Sequence, residues 1–432
     1  MTWDFHNYYN NSSDGLVAKL KLSDAQHSGL KELRKTVRVR IRDVFDEAKA
    51  VVKTTFVMSL SVFEIRQRLA NTRFRYLTPA SLQKVAELIS SMDENQRKAF
   101  QKLSPRFWTQ GSFAYDTLNL PYTTPPQEMD IDDGTYLPME IFNDQPAIGH
   151  SLLILLVDTA LESLVAENKG WQFEAKNTCG RIRIPSMYVH IDVPMYAVPE
   201  DKFMINEAAL KAIHFNSDMY QDALFSEARA KRDYNLDPKS VHLAIRDGVE
   251  AWRKSDPKIV ENWFNDACIR IGPHLRKICR IIKGWRDAQW PEKGPSSISL
   301  MAAIVDILDK HPTKGNDLNH ALKVVTNHLP QKFLAGIESP DNTDKDLLFP
   351  SQVNHGPREE EIVAKLLDLR SVLSTAESAH SNTYALIVIN QAFGQRVTKH
   401  ELIVKKEAAP AFLHEPRKDP APATISSTLR SG

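Results

Sequence analysis

The chain has 432 residues, and its 55 Lys and Arg against 54 Asp and Glu give a formal net charge of +1 at pH 7. This length allows two or three domains with separate cores, and the balanced charge argues against binding to nucleic acid through an overall positive field. Cys179, Cys268 and Cys279 form no Cys-x-x-Cys pair, which favours buried free thiols in a reducing compartment. No signal peptide and no apolar run of roughly 20 residues is predicted, so we expect a cytoplasmic protein without a membrane partner.

The first hundred residues are predicted to be mainly helical. After a polar N-terminal arm, Ser23 and Gln26 have the spacing of a capping box, and helical periodicity continues to about Lys53. Further helices are predicted near 58–70, 79–91 and 93–103.

Within the first long helix, Arg34, Arg38 and Arg42 recur every four residues and therefore share one face. Two interpretations are open. The arginines can form a solvated face paired with acids such as Glu32 and Asp46, or they can form a stripe that binds an anion.

The pattern changes after Pro105. Residues 106–110 are aromatic and β-branched, as in a strand, and they lead into Gly111-Ser112 and a polar helix start. A glycine lets a phosphate approach the backbone, a serine hydroxyl can donate to it, and free amides at a helix start favour an anion. A Gly-Ser pair alone is weak evidence, but the next strand of the same sheet could carry the acidic residues that follow.

An acidic pair lies in the stretch Gln127–Gly134. If the stretch is a strand, Glu128, Asp130 and Asp132 share one face while the alternate apolar residues face a core. Asp133 would then face the opposite side, and we expect it to be secondary. Two carboxylates on one side suit Mg²⁺, although a solvated Asp-rich turn would show the same residues.

The next elements are a helix and two strands. Ser151–Asn168 is predicted as a core helix because leucines dominate it. Alternation predicts strands at 181–184 and 188–193. The polar face of the second strand presents His190 and Asp192, so Asp192 offers a third carboxylate if this strand pairs beside the acidic one.

From about residue 200 to 405 the pattern is mainly helical, and past Phe412 the chain resembles a flexible tail. One helix is predicted to begin at Pro257. Others are predicted at His274–Gln289, Ile298–Leu308, 317–329, 358–378 and 382–393.

Three clustered carboxylates repel one another strongly in a partly desolvated cleft. Two Mg²⁺ ions about 4 Å apart, for which Mn²⁺ could substitute, would relieve this repulsion. Together with a Gly-Ser turn that holds a triphosphate, the set predicts in-line nucleotidyl transfer with loss of pyrophosphate.

Gly111-Ser112, Asp130-Ile131-Asp132 and Asp192 resemble the polymerase-β-like nucleotidyltransferase motif. The surrounding residues resemble the bacterial DncV-type cyclic GMP-AMP synthases, which are CD-NTases. The similar stretches are Phe107–Phe113, Glu128–Gly134, Gly149–Asp158, Trp285–Trp290 and Gly294–Ser299. The 17 residues between Ser112 and Asp130 exceed the generic spacing, but DncV-type members share a long loop there.

The resemblance implies an α+β fold, a two-lobed polymerase-β-like nucleotidyltransferase with a mixed β-sheet core and helices, followed by a mainly helical lobe. The implied domains are a nucleotidyltransferase core at 1–210, a helical domain that closes the nucleotide cleft at 211–405, and a tail at 406–432. The implied activity is Mg²⁺-dependent cyclisation of ATP and GTP to cyclic GMP-AMP, with 3′-5′ links, in bacterial anti-phage signalling. We expect a monomer whose product acts on a downstream effector, with no stable nucleic-acid partner.

Specific roles follow from the resemblance. Asp130, Asp132 and Asp192 are the implied metal ligands and catalytic residues, and Asp192 would also help to activate the attacking ribose hydroxyl. The implied nucleotide contacts are Gly111, Ser112, Tyr115, Arg181, Lys283 and Ser297. A face that binds folate-like anions away from the cleft is implied at Arg34, Arg38, Arg42 and Trp108.

The C-terminal Gly432 matches a family feature, in which an E1/E2-like ligase joins the terminal glycine to other molecules. An ordinary disordered tail would look much the same. Two other functions are open on the residues alone: template-independent tailing of RNA by the same chemistry, and an inactive nucleotide-binding scaffold.

Overall fold

The computed structural model describes residues 2–138, 146–198, 241–246, 252–315, 317–341, 347–350 and 356–406. Parts of the predicted helical region from about 200 to 405 lie outside the described residues, namely 200–240, 247–251, 316, 342–346 and 351–355. So do the segment 407–432 and its terminal Gly432.

Helices dominate both ends of the described chain. In the first half they are α1 (His6–Asn10), α2 (Leu16–Leu20), α3 (Asp24–Met58), α4 (Val62–Leu69), α5 (Pro79–Ser90), α6 (Glu94–Lys102), α7 (Gly111–Ala114) and α8 (Pro146–Glu167). In the second half they are α9 (Pro257–Ile271), α10 (His274–Gln289), α11 (Ser297–Lys310), α12 (Leu318–Ala335), α13 (Pro357–Glu377) and α14 (Asn382–Phe393).

A mixed sheet of seven described strands lies between these helical parts. Its strands are β2 (Arg106–Gln110), β3 (Met129–Pro138), β4 (Gln172–Lys176), β5 (Cys179–Ile184), β6 (Val189–Val198), β7 (His242–Ala244) and β8 (Trp252–Lys254). The order is β2-β3-β6-β5-β4, and β7 joins β6 to β8. The β3–β6 pair is parallel and the other pairs are antiparallel. A separate pair joins β1 (Trp3–Asp4) to β9 (Val404–Lys405).

The predicted capping box starts α3. The Ser23 hydroxyl accepts from the Gln26 amide, and the Gln26 side chain accepts from the Ser23 amide. Buried residues recur along α3 at helical spacing, from Leu30 to Val52, and this stripe packs against α8. The stretch Gly149–Glu167 of α8 is apolar and long enough to cross a membrane, but 67% of it is buried in the protein. It is therefore the core helix that the sequence predicts.

The described residues form two large hydrophobic cores and a smaller cluster around Tyr196 and Leu243. The first, which we call the sheet lobe, combines α3 to α6 and α8 with β2, β3, β5 and β6. The second, the helical lobe, combines α9 to α14 with the N-terminal residues from Trp3 to Leu20. The predicted polar arm is in fact partly helical and apolar, because Phe5, Tyr8 and Tyr9 are buried there. This N-terminal segment packs with the helical lobe, although the predicted boundary at 1–210 groups it with the nucleotidyltransferase core.

Most predicted elements are confirmed within a few residues of each end. The predicted strand 106–110 and the helices His274–Gln289 and 382–393 have the observed bounds. The sequence patterns do not predict the strands β1, β9, β4, β7 and β8. The first two have only two residues each. The last two have only three residues each and lie at one edge of the sheet, so they carry too few residues for a periodic signal.

Candidate active site

The acidic residues come together because two parallel strands lie in register. Asp132 of β3 is directly opposite Asp192 of β6, and Asp130 is opposite His190. Ile131 and Ile191 point away into the core. Ligand atoms of Asp130, His190 and Asp192 all lie within 4.8 Å of one another.

Asp132 lies beside Asp130 and Asp192, and burial makes it costly for all three carboxylates to be charged at once. Desolvation raises the pKa of Asp132 well above its ordinary value, and the charges of Asp130 and Asp192 raise it further. Arg181 and Lys283 act in the opposite direction. A cation bound at the cluster would therefore compete with a proton for Asp132.

Existing partners hold the other two carboxylates. Arg181 forms a two-armed ion pair with Asp192, with Nε to Oδ1 at 2.6 Å and Nη2 to Oδ2 at 2.7 Å. His190 Nε2 lies 3.0 Å from Asp130 Oδ1, and its Nδ1 lies 3.0 Å from Glu128 Oε2. Burial lowers the pKa of His190, but Asp130 outweighs it and the net shift is upward. Sequence alternation placed His190 on the polar face but gave it no role.

The Gly-Ser turn abuts this cluster. Gly111 has φ of +65°, and a Cβ at this position would lie 2.1 Å from Asp132 Oδ2. Only glycine fits here on both counts. The structure thus brings the turn predicted to hold a phosphate directly against Asp132, one of the predicted metal ligands.

A cavity of about 380 Å³ opens beside the carboxylates, within the usual range for a small-molecule site. Four of the predicted site residues line it: Ser112, Asp130, Lys283 and Ser297. Others in its wall include His190, Arg286 and Trp290.

The remaining predicted nucleotide contacts, Gly111, Tyr115 and Arg181, are not among the residues that line the cavity. Tyr115 is buried, and its ring packs 5.6 Å from that of Phe264. Arg181 is held by Asp192. Of the wall residues, Lys283 is buried and donates to the Thr117 carbonyl at 2.7 Å, while Ser297 accepts from Arg286 at 2.8 Å. Burial lowers the pKa of Lys283 to about 7.

The arginine stripe of α3 lies against β2 rather than in open solvent. Arg38 forms a two-armed ion pair with the buried Asp133, and Arg34 donates to Thr109 at 2.7 Å. Arg42 lies over the ring of Phe107 at 4.8 Å. The acids proposed as partners, Glu32 and Asp46, contact Lys35 and Lys49 instead, so this part of the solvated-face interpretation is wrong.

Trp108, the fourth residue of the candidate anion face, links the two lobes. Its indole Nε1 donates to Glu261 of α9 at 2.9 Å, and Lys258 lies 4.0 Å from the ring centroid. Arg34 Nε is buried and has no hydrogen-bond partner among the described residues. An unpaired buried guanidinium donor is the feature that an anionic ligand would satisfy.

The donor set fits Mg²⁺. Asp130, Asp132 and Asp192 offer hard carboxylate oxygens on adjacent strands, which is the ligand chemistry that Mg²⁺ prefers, and Asp130 lines the cavity. His190 adds a nitrogen that would also accommodate Mn²⁺.

Family models match two parts of the chain. Residues 105–196 match the model described as cyclic GMP-AMP synthase DncV-like, nucleotidyltransferase domain, and residues 272–406 match the cyclic GMP-AMP synthase C-terminal domain. A cyclic GMP-AMP synthase of Vibrio cholerae serotype O1 is 53% identical over 438 residues, and one from Escherichia coli strain TW11681 is 50% identical over 436 residues. In both comparisons all of this chain and all of the relative are covered.

Solved structures of the Vibrio cholerae protein DncV are similar over 94% of this chain and the whole of theirs. One contains the linear intermediate 5′ pppA(3′,5′)pG, with a TM-score of 0.85 at 53% identity. Another, of a variant, contains ATP, GTP and 5MTHFGLU2, with a TM-score of 0.86 at 53% identity.

Proposed function

The chain belongs to the DncV-like cyclic GMP-AMP synthases, polymerase-β-like nucleotidyltransferases, and we propose that it cyclises ATP and GTP at the carboxylate cluster of β3 and β6. The observation that carries the proposal is the parallel register that sets Asp132 opposite Asp192, with Asp130 at the wall of a nucleotide-sized cavity. A relative named cyclic GMP-AMP synthase is 53% identical over the full length of both chains, which supports ATP and GTP as the substrates.

In the first of two transfers, a ribose hydroxyl oxygen of one nucleotide attacks the α-phosphorus of the other nucleoside triphosphate. In the second, the free ribose hydroxyl of the linear dinucleotide attacks the α-phosphorus of its own 5′-triphosphate, which closes the ring. Each time, the bond from that phosphorus to the leaving pyrophosphate breaks, and Asp192 accepts the hydroxyl proton. Asp130, Asp132 and Asp192 are the groups that would hold Mg²⁺, which supplies neutralisation of phosphate charge when bound. Gly111 and Ser112 hold the triphosphate, and Lys283 donates to phosphate from the cavity wall.

The test is incubation of the purified protein with ATP, GTP and Mg²⁺. We expect pyrophosphate release and a phosphatase-resistant dinucleotide with one adenine and one guanine. Mass spectrometry with linkage-specific nucleases identifies the product, for which we propose two 3′-5′ links. Asp132→Asn should abolish turnover, while the matched control Asp309→Asn, in an exposed ion pair with Arg270, should not. A linear or single-base product would refute the proposal, and extension of RNA 3′ ends would favour the tailing alternative.

A second ligand site on α3 is part of the proposal. Arg34, Arg38 and Arg42 form a face on the Asp133 side of the acidic strand, and Arg34 Nε needs a partner. Trp108, which is opposite Gly134 in the register of β2 and β3, lies on the Asp132 side of the sheet instead. Solved structures of the Vibrio cholerae protein contain 5MTHFGLU2 as well as nucleotides. We propose that folate-like polyanions bind at this face and alter activity. Binding that survives Arg34→Met with Arg42→Met would place the ligand elsewhere.

The cellular setting is a further part of the proposal. We propose a cytoplasmic enzyme in anti-phage signalling whose product activates a separate effector. An E1/E2-like ligase would join Gly432 to other molecules. Deletion of Gly432 should then remove covalent conjugates in cells and leave synthesis in vitro unchanged; conjugates that persist would contradict this role.

A further inference from the structure

The segment Tyr115–Leu120, which follows the Gly-Ser turn, is held by the helical lobe. Its main-chain carbonyls lie in a stretch with no strand or helix partner, where buried carbonyls need other donors. Four of them receive hydrogen bonds from cationic side chains. The pairs, each given as carbonyl and donor, are Tyr115 with Arg276, Thr117 with Lys283, Leu118 with Arg280 and Leu120 with Arg396.

Three of these donors come from one face of α10. Arg276, Arg280 and Lys283 are spaced by four and three residues, so they project from the same side of the helix. Arg280 and Lys283 are both almost fully buried. Lys283, an implied nucleotide contact, therefore also helps Arg276 and Arg280 to hold the protein's own backbone.

Arg280 makes the most connections. One guanidinium nitrogen, Nη1, donates to the Leu118 carbonyl, and Nη2 donates to Asp116 Oδ1 at 2.6 Å. In return, Asn119 Nδ2 donates to the main-chain carbonyl of Arg280 at 2.9 Å. A planar fork can reach two acceptors at once, which a lysine ammonium on a flexible stem does poorly.

The held segment shapes the nucleotide cavity. Leu118 and Asn119 belong to the cavity wall, and the Thr117 amide donates to the Ser112 carbonyl at 2.9 Å. A change in the position of this segment therefore reaches both the wall and the serine predicted to hold the triphosphate.

We propose that Arg280 is a positioning residue for nucleotide binding, which acts by fixing the segment Tyr115–Leu120 and through it Ser112. The inference rests on the proposed function. Arg280 does not touch substrate in this role. Because the cavity wall contacts the nucleotide before and during reaction, loss of its order weakens binding more than it slows chemistry.

The test compares Arg280→Met and Arg280→Lys with the control Arg270→Met. Arg270 lies on the neighbouring helix α9 in an exposed ion pair. For Arg280→Met we expect faster hydrogen exchange in a peptide covering the segment and a KM for nucleotide raised roughly tenfold, with a smaller change in kcat. Arg280→Lys should restore part of both effects because it retains the charge. Arg270→Met should match the parent protein.

Wild-type exchange and wild-type KM in folded Arg280→Met would overturn the inference. If that variant does not fold, Asp116→Asn decides the question, because the Asp116 side chain is 73% exposed and accepts from Arg280. Asparagine removes the charge and tolerates the φ of +52° at this residue. Asp116→Asn should still accelerate exchange in the segment, and unchanged exchange would overturn the inference. A parent protein that releases no pyrophosphate would refute the proposed function, whereas the exchange data would still test the role of Arg280.

Discussion

The ion pair between Arg38 and Asp133 is expected to stabilise the protein strongly. The Asp133 side chain is 1% exposed, and its carboxylate accepts from Arg38 Nε at 2.6 Å and from Thr109 Oγ1 at 2.8 Å, besides a second arm of Arg38. Arg38→Met removes the cation and leaves a buried carboxylate with one hydroxyl donor. Breaking a buried pair in this way costs about 3–5 kcal/mol, out of a typical total of about 5–15 kcal/mol.

Urea unfolding followed by circular dichroism measures this loss. The double variant Arg38→Met with Asp133→Asn should be more stable than the sum of the single changes predicts, by roughly 1 kcal/mol or more, because no unpaired charge remains. Arg270→Met is the control, since its exposed ion pair contributes about 1 kcal/mol or less. The reasoning fails if Arg38→Met costs no more than this control, or if the two single changes simply add.

Three further predictions concern the active site. Gly111→Ala should reduce kcat/KM roughly a hundredfold or more, because its Cβ would displace Asp132. Gly170→Ala shares a positive φ but meets open space, so it should keep full activity in the same assay. Burial lowers the pKa of Lys283 to about 7, so KM for the nucleotides should rise with pH as this side chain loses its proton. Lys283→Met should flatten that profile, and an unchanged slope would assign it to another group. Mg²⁺ should raise the thermal unfolding midpoint increasingly with pH, because protons compete for Asp132; an equal rise in Asp132→Asn would contradict this.

The lowered pKa of Lys283 also makes the stability of the protein depend on pH. The pKa of this group is lower in the folded protein than its ordinary value of 10.5. Between about pH 7 and 10.5 the unfolded chain therefore binds more protons, and this group makes the nucleotide-free protein more stable as pH rises. Nucleotide binding has the opposite dependence because phosphate favours the charged ammonium.

The acidic cluster could be predicted from sequence because strand alternation is a local property. Asp130 and Asp132 share a face by spacing alone, and Asp192 lies on a second strand with the same alternation. From the sequence alone, the pairing of these two strands is a hypothesis, because register depends on contacts between residues distant in the chain. The observed parallel register supplies that missing step.

The contacts of the basic residues could not be predicted in the same way. Arg280 and Lys283 bind main-chain carbonyls, and a carbonyl is present at every residue regardless of its type. Arg181 faces Asp192 across two antiparallel strands, so the pair depends on a register that the sequence does not state. Arg38 reaches Asp133 over 95 positions of the chain.

Asp132 and Asp133 show how strand geometry separates two functions between identical neighbours. Asp132 faces the side of the sheet that also carries Asp130 and Asp192. Burial raises its pKa, and the charges of these two carboxylates raise it further. Asp133 faces α3, where Arg38 and Thr109 hold it. The acid expected to be secondary thus anchors the long helix to the strand that presents the reactive pair. A substitution at Asp133 that lowers activity would therefore act through the placement of Asp132, and its effect should appear in the unfolding free energy as well as in turnover.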